Sequence, residues 1–371
     1  MERLKIVQVS HTFPPYVTGL GHVVEMLSLN LSRLGHEVEV VTLDPSYRLK
    51  SQEYYKGIRV TRFPCIAPHY NSYFLPSPKV VEYLSSLKAD IVHVHNVGAL
   101  LVPASWIAVG RGNRDSAFIV SPHHHEQGSL WHTRLMWRLY KPLAKKVLES
   151  ADSVHCVSEF EAKVVRKDFG VDPVVVQNGV ADDVLKFRWN PPKDRLVLTY
   201  AGRLERYKRV GKLLEVSSIL SEKGYSNTVR VVGKGPELPN IVSTANRLNV
   251  NLENYPFLPR EEYLEMLSTS SYFLNLSMYE AFSLTTAEAL GIGVPSVVSV
   301  PWGETFQDFA NVSIVNGDNS RLVVNSILGS VNSISHSKLH VGPWSEISAR
   351  LVESVYRPTL GQKAGCVKAS A

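Results

Sequence analysis

The sequence predicts an α/β protein built from two doubly wound, Rossmann-like domains that face a central cleft. Three observations support this fold class. Apolar runs of strand length alternate with helical patterns along the chain, which is typical of parallel sheets covered by helices. A segment near the middle breaks both periods. With 371 residues, the chain is too long for one ordinary core and suits two domains.

The first domain is predicted to span residues 1–186. Its first strand covers residues 4–9, and its first helix covers residues 21–34, where apolar residues recur at helical spacing before the stop signal Gly35. Further strands are predicted at residues 37–43, 58–63, 91–94, 118–120, 153–157 and 174–177. Strands and helices in this order favour a parallel sheet.

The second domain is predicted to span residues 187–343 and to begin with a linker at residues 187–194. Strands and helices then alternate at residues 196–201, 208–220, 229–232, 241–248, 261–267, 272–276, 285–290 and 296–300. Residues 344–356 have the period of one last amphipathic helix, within a C-terminal element of residues 344–360.

The composition excludes several classes of protein. Hydrophobic residues make up 44% of the chain and charged residues 20%, as in soluble globular proteins. The three cysteines have no metal-binding or redox spacing, and their odd number argues against a disulfide framework. The sequence opens without a signal-peptide pattern, and no stretch approaches the roughly 20 apolar residues that cross a bilayer. The expected location is therefore the cytoplasm.

The net charge of +6 is concentrated in the first half. Residues 1–170 contain 20 Lys and Arg against 15 Asp and Glu. Nucleic acid, an anionic membrane surface or a phosphorylated ligand would each explain this excess, and composition alone does not choose among them.

Two glutamates eight residues apart give the most informative motif. Glu280 and Glu288 lie at a predicted strand-to-helix turn and on the helix that follows, where parallel α/β sheets bind their ligands. Carboxylates there accept hydrogen bonds from paired sugar hydroxyls. The helix N-terminus at Ser283, Leu284 and Thr285 favours a phosphate. Two acids tolerated near a helix start are the alternative.

The second domain opens with a predicted diphosphate-binding pair. Its first strand runs into Gly202, which is followed by Arg203 and by Lys208 near the start of the next helix. The planar guanidinium and the mobile ammonium together suit a diphosphate and would stabilise the charge on a nucleoside diphosphate leaving group. A solvated Arg/Lys pair is the alternative.

Glycine-rich turns follow two further predicted strands. Gly233 and Gly235 would let the backbone approach a ligand, and Lys234 between them would reach a phosphate or a base. Gly19 and Gly21 precede the first helix, at a place suited to phosphate. The pattern there lacks the third glycine of Gly-x-Gly-x-x-Gly, so an NAD site is not supported.

Histidines follow strands of the first domain. His123, with His124 and His125, lies at the carboxyl end of its strand, where an acid/base group or a hydroxyl-binding group would face the cleft. A metal site is the alternative, although no Asp-x-Asp pair accompanies the histidines. At His93 and His95, on another strand, packing is at least as reasonable as function.

One segment of the first domain predicts a basic amphipathic helix. Arg134, Arg138, Lys141 and Lys145 recur at helical spacing, with Trp131 beside them. Such a helix suits an anionic lipid surface, so peripheral contact with a membrane on its cytoplasmic face is one interpretation. A solvated basic face is the other.

Taken in this order, the motifs resemble those of the retaining family-four glycosyltransferases of the GT-B fold, over about residues 4–357. The matching motifs are Pro14-Pro15 with Gly19-Leu-Gly21, His123, Cys156-Val-Ser-Glu159, Gln177-Asn-Gly-Val180, Gly202-Arg-Leu with Lys208, Val232-Gly-Lys-Gly-Pro236, and Glu280 with Glu288.

The resemblance implies a nucleotide-sugar donor. By this likeness, Arg203 and Lys208 bind the diphosphate, Glu288 binds the ribose hydroxyls and Glu280 contacts the transferred sugar. His123 would lie beside that sugar and the reacting centre.

The family also implies transfer with retention of anomeric configuration, without a divalent metal or another cofactor. Gly21 would let backbone amides approach the phosphate or the acceptor. The acceptor would be a glycan or a lipid-linked precursor, and the C-terminal element would return to the first domain.

Two alternatives remain open at this point. A nucleotide-sugar epimerase of the same architecture is the alternative enzyme. A non-catalytic binder of a nucleotide sugar or of nucleic acid is the alternative outside enzymes. The acidic pair Glu280 and Glu288 would repel a phosphate backbone, so we expect no nucleic-acid partner.

Overall fold

A computed structural model describes residues 2–16, 18–67, 74–125, 131–309, 311–330 and 341–369. The chain divides into two compact units, one of residues 1–178 with 344–371 and one of residues 179–343. Each contains a largely parallel sheet covered by helices. The predicted α/β class with two Rossmann-like domains is confirmed.

The first unit alternates strands and helices as the sequence predicts. Its elements are β1 (Lys5–Ser10), α1 (Gly19–Arg33), β2 (Glu37–Asp44), β3 (Gln52–Tyr55), β4 (Ile58–Ile66), β5 (Leu75–Pro76), α2 (Pro78–Ser86), β6 (Ile91–His95), α3 (Leu101–Gly112), β7 (Ala117–Ser121), α4 (Trp131–Glu149), β8 (Ser153–Cys156), α5 (Glu159–Phe169) and β9 (Val174–Val175). The strands are ordered β3-β4-β2-β1-β6-β7-β8-β9, and β5 pairs with β4.

Parallel pairing brings polar side chains together at the carboxyl edge of this sheet. In the register, Gln8 lies opposite His93 and His95 lies opposite Ser121. Every residue of β6 and β7 is buried, as expected for strands covered by helices on both faces. The strands β3 and β5 pair antiparallel with β4 at the sheet margin and were not predicted.

The second unit contains a purely parallel sheet. Its elements are a 3₁₀ turn (Val184–Lys186), β10 (Leu196–Ala201), a 3₁₀ turn (Arg206–Lys208), α6 (Gly211–Glu222), β11 (Asn227–Val232), α7 (Leu238–Arg247), β12 (Leu252–Tyr255), α8 (Arg260–Ser268), β13 (Tyr272–Asn275), α9 (Leu284–Ile292), β14 (Ser296–Ser299), a 3₁₀ turn (Trp302–Phe306), β15 (Val312–Val315) and α10 (Ser320–Ser330). The strands are ordered β12-β11-β10-β13-β14-β15.

The second unit begins at Gly179, earlier than the sequence suggests. Residues between Gly179 and the predicted linker belong to it because they bond to its other elements. Asp183 accepts hydrogen bonds of 2.9 and 3.0 Å from the Arg260 guanidinium. The Val180 N–H donates to the Gly342 carbonyl at 3.1 Å.

The C-terminal segment belongs to the first unit. It consists of α11 (Trp344–Leu351), a π-helical turn (Val352–Tyr356) and α12 (Arg357–Ala369), so helix continues beyond the predicted end at residue 360. Trp344 and Tyr356 are fully buried and anchor it. The Tyr356 hydroxyl forms hydrogen bonds with side chains of β1 and β6.

Candidate active site

Glycines let two strand-end loops of the second unit pack against each other. The Gly202 N–H, after β10, donates to the Val232 carbonyl at the end of β11 at 2.9 Å. A Cβ on Gly233 would overlap the Gly202 carbonyl oxygen, and a Cβ on Gly235 would overlap the Leu204 carbonyl. Glycine is therefore required here for backbone packing, whatever a ligand adds.

The lysine between these glycines is exposed. The Lys234 backbone carbonyl accepts from the Leu204 N–H at 2.9 Å, which fixes the turn, while its side chain extends into solvent. The position leaves the ammonium available to an anionic ligand.

The predicted helix from residue 208 begins three residues later. Residues Arg206–Lys208 form a separate 3₁₀ turn, because Arg209 adopts a left-handed conformation with φ of 52° before α6 starts. This turn directs Lys208 back toward the carboxyl edge of the sheet. Its ammonium forms an ion pair with the Glu280 carboxylate, and the two side chains are only 13% and 12% exposed.

Arg203, by contrast, is a solvent-facing cation. Its side chain is 68% exposed, and its guanidinium donates to the Tyr207 hydroxyl at 3.1 Å. The Tyr207 ring stacks on Tyr279 with 4.7 Å between ring centroids. Arg203 is therefore held beside the turn that carries Lys208 while its charge stays accessible.

Glu280 sits in a set of polar groups at the end of β13. Besides the lysine, its Oε1 accepts from Ser277 Oγ at 2.9 Å and from Asn275 Nδ2 at 3.3 Å. Asn275 also donates to Ser283 Oγ at 2.9 Å. The carboxylate is thus oriented by three donors, and Asn275 links it to the start of α9.

The N-terminus of α9 is formed as the sequence predicts. Ser283 is its N-cap, and its Oγ accepts from the Thr286 N–H at 3.3 Å. Leu284 and Thr285 open the helix, so their amides belong to the first turn, whose N–H groups point out of the helix end. The start of α9 therefore lies close to Glu280 and, through Glu280, to Lys208.

Glu288, on the same helix, is held in a second network. Its Oε1 accepts from Arg260 at 2.5 Å and its Oε2 accepts from the Tyr263 hydroxyl at 2.9 Å. Burial alone would lower the pKa of Arg260, but the hydrogen bonds to Asp183 and Glu288 raise it. Burial and the adjacent carboxylate raise the pKa of Tyr263 well above its ordinary value. Glu288 is thus oriented before any ligand binds.

The partners of Glu288 were not predicted from the sequence. Arg260 and Tyr263 lie on α8, and Asp183 lies near the start of the second unit, so no local motif connects them to Glu288. Their proximity to Glu288 is visible only in the folded chain.

The two glycines at the start of α1 differ in their surroundings. Thr18 is the N-cap, and its Oγ1 accepts from the Gly21 N–H at 2.9 Å. A Cβ on Gly21 would lie 2.9 Å from Thr18 Oγ1, whereas a Cβ on Gly19 would meet no atom of the described residues within 4 Å. Gly21 is therefore packed by the chain itself, and the open side of the helix N-terminus lies at Gly19.

His123 follows β7 in an unusual backbone conformation. Its φ of 46° lies in the left-handed region, which few residues other than glycine adopt and which concentrates at functional sites. Its Nε2 lies 3.1 Å from His95 Nδ1. Burial, with smaller effects of His155 and His11, lowers its pKa to about 3. The ring is therefore neutral at physiological pH.

The three consecutive histidines do not act as one group. His124 bonds Asp168 through Nε2 at 2.9 Å, whereas His123 contacts His95. Within the described parts of the chain, no cluster of three His, Cys, Asp or Glu side chains is arranged to hold a metal ion.

The basic stripe predicted on α4 is only partly available. Lys141 is paired with Asp168 at 2.8 Å and Lys145 lies 3.6 Å from Glu149. The side chains of Trp131 and Arg134 lie outside the described residues. Exposed side chains on α4 include Leu135, Met136, Arg138, Leu139, Leu143, Lys145 and Lys146, which we call the outer face of α4. The described part of the predicted stripe, Arg138, Lys141 and Lys145, therefore lies on a helix whose exposed side chains are both apolar and basic.

Two family models match the two units in order. Residues 17–184 match the model described as Glycosyltransferase Family 4, and residues 182–313 match the model described as Glycosyl transferases group 1. The chain belongs to the family-four glycosyltransferases. The predicted membership, GT-B fold and glycosyltransferase activity are confirmed.

Named relatives and a solved structure agree with the family assignment and the fold. The chain is 23% identical over 334 residues to the GDP-mannose:cellobiosyl-diphosphopolyprenol alpha-mannosyltransferase of Komagataeibacter xylinus, covering 86% of this chain and 81% of that protein. It is 26% identical over 328 residues to a glycogen synthase of Mycobacterium tuberculosis, covering 80% and 78%. The fold matches sucrose-phosphate synthase from Thermosynechococcus elongatus with a TM-score of 0.73 at 16% identity, covering 99% and 100%. The family models and relatives do not favour the epimerase or the non-catalytic binder.

Proposed function

We propose that this glycosyltransferase moves a sugar from a nucleoside diphosphate sugar to an acceptor, with retention of anomeric configuration and without a divalent metal. The observation that supports this most strongly is the ion pair between Lys208 and Glu280. It places a cation suited to a diphosphate beside a carboxylate suited to sugar hydroxyls, as a sugar joined directly to a diphosphate requires.

Cations of the second unit replace the charge that a metal would supply. In this proposal, Arg203 and Lys208 bind the diphosphate, and N–H groups at Ser283, Leu284 and Thr285 add hydrogen bonds. Negative charge grows on the diphosphate as its bond to the sugar breaks. Donors already in position stabilise that charge most, so these groups lower the barrier.

The glutamates bind the two rings of the donor. Among the described residues, each oxygen of Glu288 has one hydrogen-bond partner, which leaves a second lone pair for a ribose hydroxyl. A bound diphosphate competes with Glu280 for the ammonium of Lys208. The Glu280 carboxylate can then accept a hydrogen bond from a hydroxyl of the transferred sugar.

His123 is a poor candidate for the base. A group with a pKa of about 3 has little capacity to take a proton from an alcohol at neutral pH. The departing phosphate oxygen is the better proton acceptor, and it lies on the face of the sugar that it leaves. Attack on that same face gives retention.

The test is acceptor-dependent release of nucleoside diphosphate in the presence of excess EDTA. We expect release only when an acceptor is supplied, an unchanged rate with EDTA, and a product whose anomeric configuration by NMR equals that of the donor. Loss of activity that a divalent metal restores would contradict the metal-free mechanism. Isomerisation of the donor without an acceptor would identify an epimerase.

We also propose that the acceptor is lipid-linked and that the outer face of α4 contacts an anionic membrane. Leu139 is 76% exposed and Leu135 is 52% exposed, beside the exposed Arg138 and Lys145. Exposed leucines flanked by cations suit the headgroup region of an anionic bilayer. Within the described residues, no helix combines the length and the apolar character needed to span a bilayer.

Flotation with vesicles that contain anionic lipid tests this contact. Replacing Arg138 and Lys145 by glutamine is expected to weaken partitioning roughly 30-fold, since each cation near such a surface contributes about 1 kcal/mol. The double variant Lys50→Gln with Lys88→Gln removes the same charge elsewhere on the first unit and should behave like the wild type. Equal flotation of all three proteins would remove this proposal.

A further inference from the structure

A continuous chain of hydrogen bonds crosses the interior of the first unit and ends at His123. Its members come from six separate parts of the sequence, and most are fully buried. We call it the histidine relay; in order it contains the Val176 carbonyl, His155, Ser121, His93, Tyr356, Gln8, His95 and His123.

The direction of the relay is set at its first member. The Val176 carbonyl can only accept, so His155 Nε2, at 2.9 Å, must carry a proton. A neutral ring has one proton, so His155 Nδ1 has a lone pair and accepts from the Ser121 hydroxyl at 2.7 Å. The Ser121 oxygen then accepts from His93 Nε2 at 2.7 Å.

The direction of the relay continues through Tyr356. His93 Nδ1 has no proton, so the Tyr356 hydroxyl must donate to it, at 2.8 Å. The Tyr356 oxygen accepts from the amide nitrogen of Gln8 at 2.9 Å, which turns the amide oxygen of Gln8 toward His95. That oxygen accepts from His95 Nε2 at 2.7 Å.

The last step defines His123. Because His95 Nε2 carries the proton, His95 Nδ1 has a lone pair and accepts from His123 Nε2 at 3.1 Å. We propose that the histidine relay holds His123 as the neutral tautomer with its proton on Nε2, so that Nδ1 presents a lone pair to the bound substrate. Gln8, Ser121 and Tyr356 are then positioning residues for His123.

The direction of the relay depends on every histidine ring being neutral. Burial lowers the pKa of His93 and His95 well below the ordinary value. Burial also lowers the pKa of His155 to about 4 and that of His123 to about 3. At neutral pH each ring therefore has one proton to donate and one lone pair, and a fixed end determines the whole sequence of donors and acceptors.

The relay gives His123 a defined chemistry. Among the described residues, none forms a hydrogen bond with His123 Nδ1, and the side chain is half-buried. On the proposed function, this nitrogen accepts a hydrogen bond from a hydroxyl of the transferred sugar. The opposite tautomer would present an N–H there and would donate instead. The C-terminal segment contributes through Tyr356, which lies 263 residues after His93 in the chain.

Nitrogen NMR of the full chain labelled with ¹⁵N in the histidine rings tests the tautomer without donor or acceptor. The signals of His123 are identified by their absence in His123→Asn. We expect a protonated Nε2 and an unprotonated Nδ1 at neutral pH. Ser121→Ala and Tyr356→Phe each break the relay at a different point, and either should give a mixture of tautomers. A wild-type His123 protonated on Nδ1, or an unchanged tautomer in both variants, would overturn the relay.

Transfer kinetics test the consequence separately. Tyr356→Phe is expected to lower kcat/KM by about tenfold, the effect of one lost hydrogen bond to the sugar. Tyr83→Phe is the matched control, because it removes a tyrosine hydroxyl of the same unit that bonds Glu39 at 2.5 Å outside the relay, and it should leave transfer unchanged. A changed tautomer with unchanged transfer would overturn the sugar contact of His123 and leave the relay in place.

Discussion

Replacing Lys208 by alanine is expected to lower kcat for transfer by about 10²- to 10³-fold, the usual cost of removing one donor aimed at developing charge. In the wild type, the ammonium lies next to Glu280 in a largely buried pair. Alanine removes the cation that would stabilise the negative charge growing on the leaving diphosphate. Steady-state kinetics with a saturating donor measures the loss.

The control for this variant is Lys212→Ala. Lys212 is the second residue of the following helix, α6, and pairs with Glu215 at 2.8 Å, so its removal deletes the same side chain outside the site. The Glu280 carboxylate keeps Ser277 and Asn275 as donors in Lys208→Ala, so circular dichroism should show a folded protein. Near-normal turnover of folded Lys208→Ala would contradict the assignment of Lys208 to the donor site.

Replacing Glu288 by alanine is expected to weaken donor binding by about 10- to 100-fold, since a hydrogen bond to a charged group contributes roughly 1.5–3 kcal/mol. The loss should appear as a higher KM for the donor and leave the KM for the acceptor unchanged. Arg260 keeps its two bonds to Asp183 in this variant, so the end of α8 stays anchored.

Two further variants accompany Glu288→Ala: a control, and a variant that separates ribose binding by the carboxylate from the orientation of that carboxylate. Glu262→Ala removes an exposed carboxylate of α8 and should behave like the wild type. Tyr263→Phe keeps the carboxylate but removes the hydroxyl that bonds its Oε2, so its effect should be smaller than that of Glu288→Ala. If Glu288→Ala binds the donor as tightly as the wild type, the ribose is bound elsewhere.

Helices and strands with a regular spacing of apolar residues could be predicted from the sequence, because burial of one or both faces produces that spacing directly. The strand predicted at 196–201 is β10 without change, and the last helix begins at Trp344 as expected. The break at Arg209 was not readable, because a left-handed residue other than glycine leaves no compositional signal. The margin strands β3 and β5 were missed because each is too short to show a period.

The candidate site was readable where its residues are local in sequence. Glu280, Ser283 and Glu288 lie within one strand-turn-helix, so their spacing carries information. Arg260 and Tyr356 come from distant segments, and a single sequence does not show which segments meet. His93 and His95 lie on a strand where a packing role and a functional role predict the same sequence. Only the hydrogen-bond partners of their ring nitrogens distinguish these two roles.

Calorimetric titration of nucleotides in EDTA tests most directly whether the second unit binds a nucleoside diphosphate through Lys208 and Glu288. For one base, we expect the wild type to bind the diphosphate at least about tenfold more tightly than the monophosphate, because charge-assisted hydrogen bonds to the second phosphate are lost. Lys208→Ala should reduce that difference, and Glu288→Ala should weaken the binding of both nucleotides. Equal affinity for the two nucleotides, or unchanged binding in both variants, would contradict this assignment.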